Sequence, residues 1–146
     1  MGFKDDLAAA KTAVQAAEPK KTGRIPVIVN GVEHEVVFYR PSAPDWSKAA
    51  RKSPPRVDVP LDMRNGYDLS LVARDISAKY GRFLDGDDEV VASPEDWADL
   101  WDVISLTSAR VIEASIWHIV EHDFDKEVEA AKKVSKPRRT SRKKPS

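Results

Sequence analysis

The sequence predicts an α+β protein, mainly helical: an N-terminal helix, one β-hairpin, a small bundle of three to four helices and a disordered basic tail. Three observations carry that prediction. Asn30-Gly31 stands between two runs rich in Val and Ile, and a type I′ hairpin turn needs positive φ at both central residues. Apolar residues recur at helical spacing in three later segments. From Lys132 onward the chain holds eight cations and no acid. The expected division is residues 1–22 for the first helix and a linker, 23–131 for the globular domain with its hairpin at 24–40, and 132–146 for the tail.

In chain order, Phe3, Leu7, Ala10 and Val14 form a narrow apolar stripe, suited to a short amphipathic helix that Pro19 and Gly23 end. In the hairpin, Pro26 cannot donate to a ladder, so the first strand belongs at an edge. The segment Pro41–Arg56 reads as a short helix begun at Ser42 or Ala43, with Pro44 in its first turn and Ser53-Pro54-Pro55 as its stop. Residues 57–66 read as irregular. Leu69, Val72, Ala73 and Ile76 mark a helical face that Gly81 closes. Residues 82–92 read as a polar turn, with room for a short strand over Glu89–Ala92. Ser93 as cap, Pro94 at the first helical position and Asp96 in the first turn open a helix faced by Trp97, Leu100, Trp101 and Ile104. A final long helix starts near Thr107 or Ser108, turns Ile112, Ile116, Ile119 and Val120 inward, and runs into the tail.

Composition narrows the function. The chain has 146 residues, 41% apolar and 33% charged, with no cysteine, so thiolate metal sites and disulfides are excluded. No apolar run approaches the ~20 residues needed to span a bilayer. The start of the chain lacks the apolar core of a secretory signal, and the absence of cysteine fits a cytoplasmic protein. Net charge is zero, yet residues 1–131 hold 16 basic residues against all 24 acidic ones. The body therefore stands at −8 and the tail at +8.

His118, Glu121 and His122 spell H-x-x-E-H, the pattern of one class of zinc peptidase. A catalytic zinc needs a third protein ligand, and only 24 residues follow His122. The histidines also lie beside the inward stripe, among Glu121, Asp123 and Asp125, as an exposed or boundary pair. No nucleophile elbow and no phosphate-cradling glycine loop occurs. Asp85–Glu89 lacks the ligand spacing of a calcium loop. The expectation is a protein with no catalytic, cofactor-binding or metal-binding residues. Trp97 and Trp101, one helical turn apart, suit a core better than an open partner groove, and Trp46 is the tryptophan expected at the surface. The tail could hold nucleic acid through counterion release. It carries no aromatic residue to stack bases, however, and a solubilising or partner-seeking arm is the competing reading.

The order of segments resembles the tail assembly chaperones of long-tailed phages that infect actinobacteria. The resemblance covers roughly residues 24–125. It rests on Phe38-Tyr39-Arg40-Pro41-Ser42 with Trp46, on Pro54-Pro55-Arg56, and on Glu95-Asp96-Trp97 with Leu100. The family more often has Asn or Gly where this chain has His118. The resemblance implies a non-enzymatic protein of the host cytoplasm, outside the mature virion. Such a protein binds the long helical tape measure protein and keeps it soluble while the tail tube assembles. It also implies a longer, frameshifted form of the same chain, with Lys132-Lys133 and Lys143-Lys144 as places for slippage, and self-association. Candidate partner-binding residues are Tyr39, Trp46, Trp97, Trp101, Lys132, Lys133, Arg138 and Arg139.

Overall fold

A computed structural model describes residues 2–16, 20–122, 129, 130 and 132. The hairpin forms as the sequence dictates. Strands β1 (Ile25–Val29) and β2 (Val32–Phe38) pair antiparallel from Ile25↔Val36 to Val29↔Val32. Asn30 and Gly31 turn between them at φ 52° and 76°, the type I′ pattern. The Ile28 N–H points away from β2, 3.5 Å from Ser108 Oγ. Pro26, two residues earlier, therefore sets its missing donor on the same free side, and β1 is an edge strand.

The single hairpin expected from the sequence proves to be half of a four-stranded antiparallel sheet, ordered β1-β2-β3-β4. Strand β3 (Gly81–Asp85) pairs with β2 through Val36↔Phe83, and β4 (Asp88–Val90) closes a second hairpin on it. The turn between them has Gly86 at φ 64° followed by Asp87, the Gly-x signal of a type II′ turn. Aspartates on both sides of that glycine hide the signal inside what reads as a solvated acidic loop.

Six helices are present among the described residues, α1 (Phe3–Ala16), α2 (Ala43–Arg51), α3 (Pro60–Asn65), α4 (Leu69–Tyr80), α5 (Pro94–Val103) and α6 (Leu106–Trp117), with a π-helical turn at His118–His122. Four of them, α2, α4, α5 and α6, are capped at their starts by side chains that satisfy otherwise orphaned N–H groups. Ser42 accepts from the Asp45 N–H, Asp68 from those of Ser70 and Leu71, Ser93 from Asp96 and Ser105 from Ser108. Helix α3 corrects the irregular reading of residues 57–66. The helices do not form a separate bundle. Helix α4 is the hub, packing on α2, α5, α6 and β3, while α6 also packs on β1.

One sheet face meets this helical layer. Ile25, Val27, Val36 and Phe38 share a core with Val72, Ala73 and Ile76 of α4, Trp97 and Trp101 of α5, and Ile112 and Ile116 of α6. Trp97 is the keystone, its ring centroid 5.2 Å from Phe38 and 4.7 Å from Phe83. Gly81 permits that approach, because a Cβ there would collide with the Trp97 ring and lie 2.7 Å from the Ser77 carbonyl oxygen. Trp101 donates from Nε1 to Ser77 Oγ at 3.0 Å, which in turn donates to the Ala73 carbonyl.

Between α2 and α4 the chain is organised by Asp62, whose side chain is wholly buried. It accepts from Arg56 Nε at 2.7 Å, Arg56 Nη2 at 3.2 Å and the Arg56 backbone N–H at 3.1 Å. Arg56 Nε also lies 3.3 Å from Asp68, so one guanidinium links this connection to the cap of α4. Trp46 corrects a second expectation: it is only 8% exposed, set edge-on against Tyr67 at 5.6 Å. The Tyr67 hydroxyl donates to Glu121 at 2.8 Å and fixes the π-helical turn over α2.

Candidate interaction surface

The inner sheet face is longer than the helices that cover it. Val27 is sealed, Val29 is half-buried, and its cross-strand partner Val32 is 54% exposed. The result is an open groove of about 450 Å³ between the sheet and α5, lined by Val27, Val29, His34, Val36, Phe83, Val90 and Leu100. Strand alternation places the valines, and the 3.6-residue period of α5 places Leu100 one turn past the buried Trp97. Val90, on the short edge strand, is 45% exposed.

Two carboxylates, Glu35 and Asp85, stand in the lining of this groove, and Glu35 is paired with Arg24. Residues 83–109, which run from within β3 through β4 and α5 into the first turn of α6, contain eight acids and no base. Asp87 is paired with Arg24, and Glu89 with Lys21 at 2.7 Å. Asp85, Asp88, Glu95, Asp96, Asp99 and Asp102 belong to no ion pair among the described residues. An apolar floor with a carboxylate in its lining suits the apolar face of a helix flanked by Lys or Arg.

The outer sheet face carries a cluster of paired polar side chains. The Tyr39 ring lies between Lys21 at 5.7 Å and the Arg82 guanidinium at 5.4 Å, and its hydroxyl donates to Glu89. Hydrogen bonding to Glu89 raises the Tyr39 pKa, while the Lys21 ammonium holds Glu89 below the usual carboxylate range. Arg24 reaches Glu35 at 3.0 Å and the Gly86 carbonyl at 3.1 Å, tying the two hairpins together.

Two further clefts flank α6 and the turn after it. One, of about 440 Å³, is bounded by Arg40, Pro41, Ala43, Trp46, Ser47, Val120 and Glu121. The other, about 600 Å³, runs between residues 21–26 and the α6 face that carries Val111, Ser115 and His118. His118 is exposed and His122 half-buried, their rings 4.3 Å apart and tilted by 35°, and Glu121 is engaged by Tyr67. No group of three or more His, Cys, Asp or Glu side chains able to hold a metal occurs among the described residues.

The residues singled out from the sequence are thus dispersed. Tyr39 lies on the outer face, Trp46 floors the α2 cleft, and Trp97 and Trp101 are core. Lys132 is exposed, 3.8 Å from Glu129, whereas Lys133, Arg138 and Arg139 lie outside the described residues. Sequence reasoning missed the groove residues Val29, Phe83, Val90 and Leu100. The signal for them was the Val27/Val29 alternation continuing past the reach of the helices. No described helix is long and apolar enough to cross a membrane. No family model, curated protein or solved structure matches this chain.

Proposed function

We propose that the chain is a non-catalytic phage tail assembly chaperone, which binds the tape measure protein and keeps it soluble while tube subunits assemble around it. The observation that carries this reading is the apolar groove between Val29, Val90 and Leu100. A long amphipathic helix exposes a stripe that aggregates unless covered. A groove of this shape accepts such a stripe one segment at a time, with the Asp85 carboxylate in its lining drawing in a basic flank. On this reading the protein works in the host cytoplasm and is left out of the virion. A longer frameshifted form of the chain would share the groove. Co-expression with the tape measure protein tests the proposal: the expected result is co-purification and a gain in its soluble fraction, and the absence of both contradicts it.

A second reading rests on the eight cations after Ala131. A nucleic-acid-associated accessory role would work through that arm alone, since the acidic face of the body repels phosphate. A gel shift that weakens with salt and disappears on deletion of residues 132–146, with no effect on the tape measure protein, favours it over the chaperone.

A further inference from the structure

The helices that cover the sheet carry a charge pattern on their outer side. In α2 the core takes Trp46 and Ala49; at about 100° per residue, Lys48, Arg51 and the cap residue Lys52 fall on the opposite side, all exposed. In α5 the core takes Trp97 and Trp101, and Glu95, Asp99 and Asp102 fall on the opposite side, also exposed. None of these six belongs to an ion pair among the described residues. The helix dipole accounts for the cations at the end of α2 and for Glu95 at the start of α5. It does not account for Asp102, which stands in the last turn of α5, where a carboxylate is unfavourable. Helix α4 runs between the two stripes. Its Lys79 and Tyr80 reach Asp45 of α2, while its Ser77 and Arg74 meet Trp101 of α5. On its outer side α4 leaves Leu71 46% exposed. A cleft of about 300 Å³ opens between α4 and α5. Asp75 and Asp102 stand in its lining with one cation, Arg74, which already lies over the Trp101 ring at 5.6 Å.

We propose that this outer helical face docks a second copy of the chain, with α2 of each copy lying over α5 of the other. The face is positive on one side of α4 and negative on the other, so a two-fold axis along α4 makes it its own complement. Rotation about that axis sets Lys48, Arg51 and Lys52 of each copy opposite Glu95, Asp99 and Asp102 of the other, and brings the two Leu71 side chains to the midline. Any other partner would have to supply both signs at the same spacing, which a second copy supplies by symmetry. The cleft between α4 and α5 receives a long cationic side chain of the facing α2, between the carboxylates of Asp75 and Asp102. Three helices packed 8–10 Å apart span roughly 20 Å between outer axes, and the 12 residues of α4 run about 18 Å. A face on the order of 400 Å² per copy is small for a specific interface, so the dimer is reversible and sensitive to salt. It leaves the groove beside Val29 and Leu100 open and does not depend on what that groove binds.

The test is the solution mass of the full-length chain, by sedimentation, beside two charge-reversed variants. Lys48→Glu with Arg51→Glu reverses α2, and Asp99→Lys with Asp102→Lys reverses α5. All four positions are exposed, so the core is untouched. The native chain at low salt should give a species that grows with concentration and stops at twice 16.3 kDa. Raising salt from about 0.01 M to about 1 M, which shortens the screening length from ~30 Å to ~3 Å, should return it to monomer. Each variant alone should be monomeric, because its α2 and α5 then carry the same sign. An equal mixture should restore the dimer, since the reversed α2 of one chain meets the reversed α5 of the other while the two native stripes still match. That recovery also shows both variants to be folded. A native chain that stays monomeric up to the millimolar range overturns the proposal. So does a dimer that survives reversal of α2, the pattern expected if the basic tail of another copy occupies α5. Growth past two copies, or no recovery on mixing variants that are both helical by circular dichroism, overturns it equally.

Discussion

At the scale of single residues, two positions hold the structure in ways that side-chain type alone does not advertise. Gly81 stands where the Trp97 ring leaves no room for a Cβ. Gly81→Ala should destabilise the fold by about 1–3 kcal/mol, the usual range for forcing a methyl into a packed core, and denaturant titration measures it. Asp62 is buried with three hydrogen bonds from Arg56. Its loss should cost about 2–3 kcal/mol, since those bonds are charge-assisted and Arg56 keeps only Asp68. Those bonds from Arg56 hold the Asp62 carboxyl below its ordinary pKa, and Lys79 does the same for Asp45. In the acid range the unfolded chain therefore binds protons that the native chain refuses. Stability from these groups is fully present above about pH 4, the unfolded carboxylate value, and is lost as pH falls through the lower folded values. An acid titration followed by Trp fluorescence should show this loss, and Asp62→Asn should reduce its steepness.

At the scale of elements, the sequence speaks clearly where local chemistry is sufficient. Asn30-Gly31 specifies its turn by backbone conformation, and Ser93-Pro94 specifies the start of α5 by capping. Ser93→Ala should cost about 1 kcal/mol, measurable by thermal unfolding. The sequence is quiet where tertiary contact decides. Strand β4 has three residues, two of them acidic, and is a strand because Phe83 and Leu84 of β3 lie alongside. The pairing of β3 with β2 spans more than forty residues and has no local mark. Trp46 looks exposed next to Asp45 and Ser47, yet Tyr67, brought in by the Asp62–Arg56 connection, covers it. The groove was invisible for the same reason. Its valines read as ordinary core until the extent of the helical layer is known.

At the scale of the whole molecule, the zero net charge resolves into an acidic body and a basic tail. Six carboxylates that belong to no ion pair among the described residues fall between residues 85 and 102, one of them, Asp85, in the lining of the apolar groove, and the cations of the tail follow residue 131. A helix-binding chaperone needs such an opening and needs it acidic only if its client is basic along the flank. The groove variant makes this direct, because Val90→Lys changes an exposed edge residue whose cost to folding should stay within about 0.5 kcal/mol. The deciding measurement is the soluble fraction of the tape measure protein co-expressed with the native chain or with Val90→Lys. The chaperone account predicts that the native chain keeps the client in solution and that the folded variant does not. Equal solubility with the variant, or none with the native chain, contradicts it.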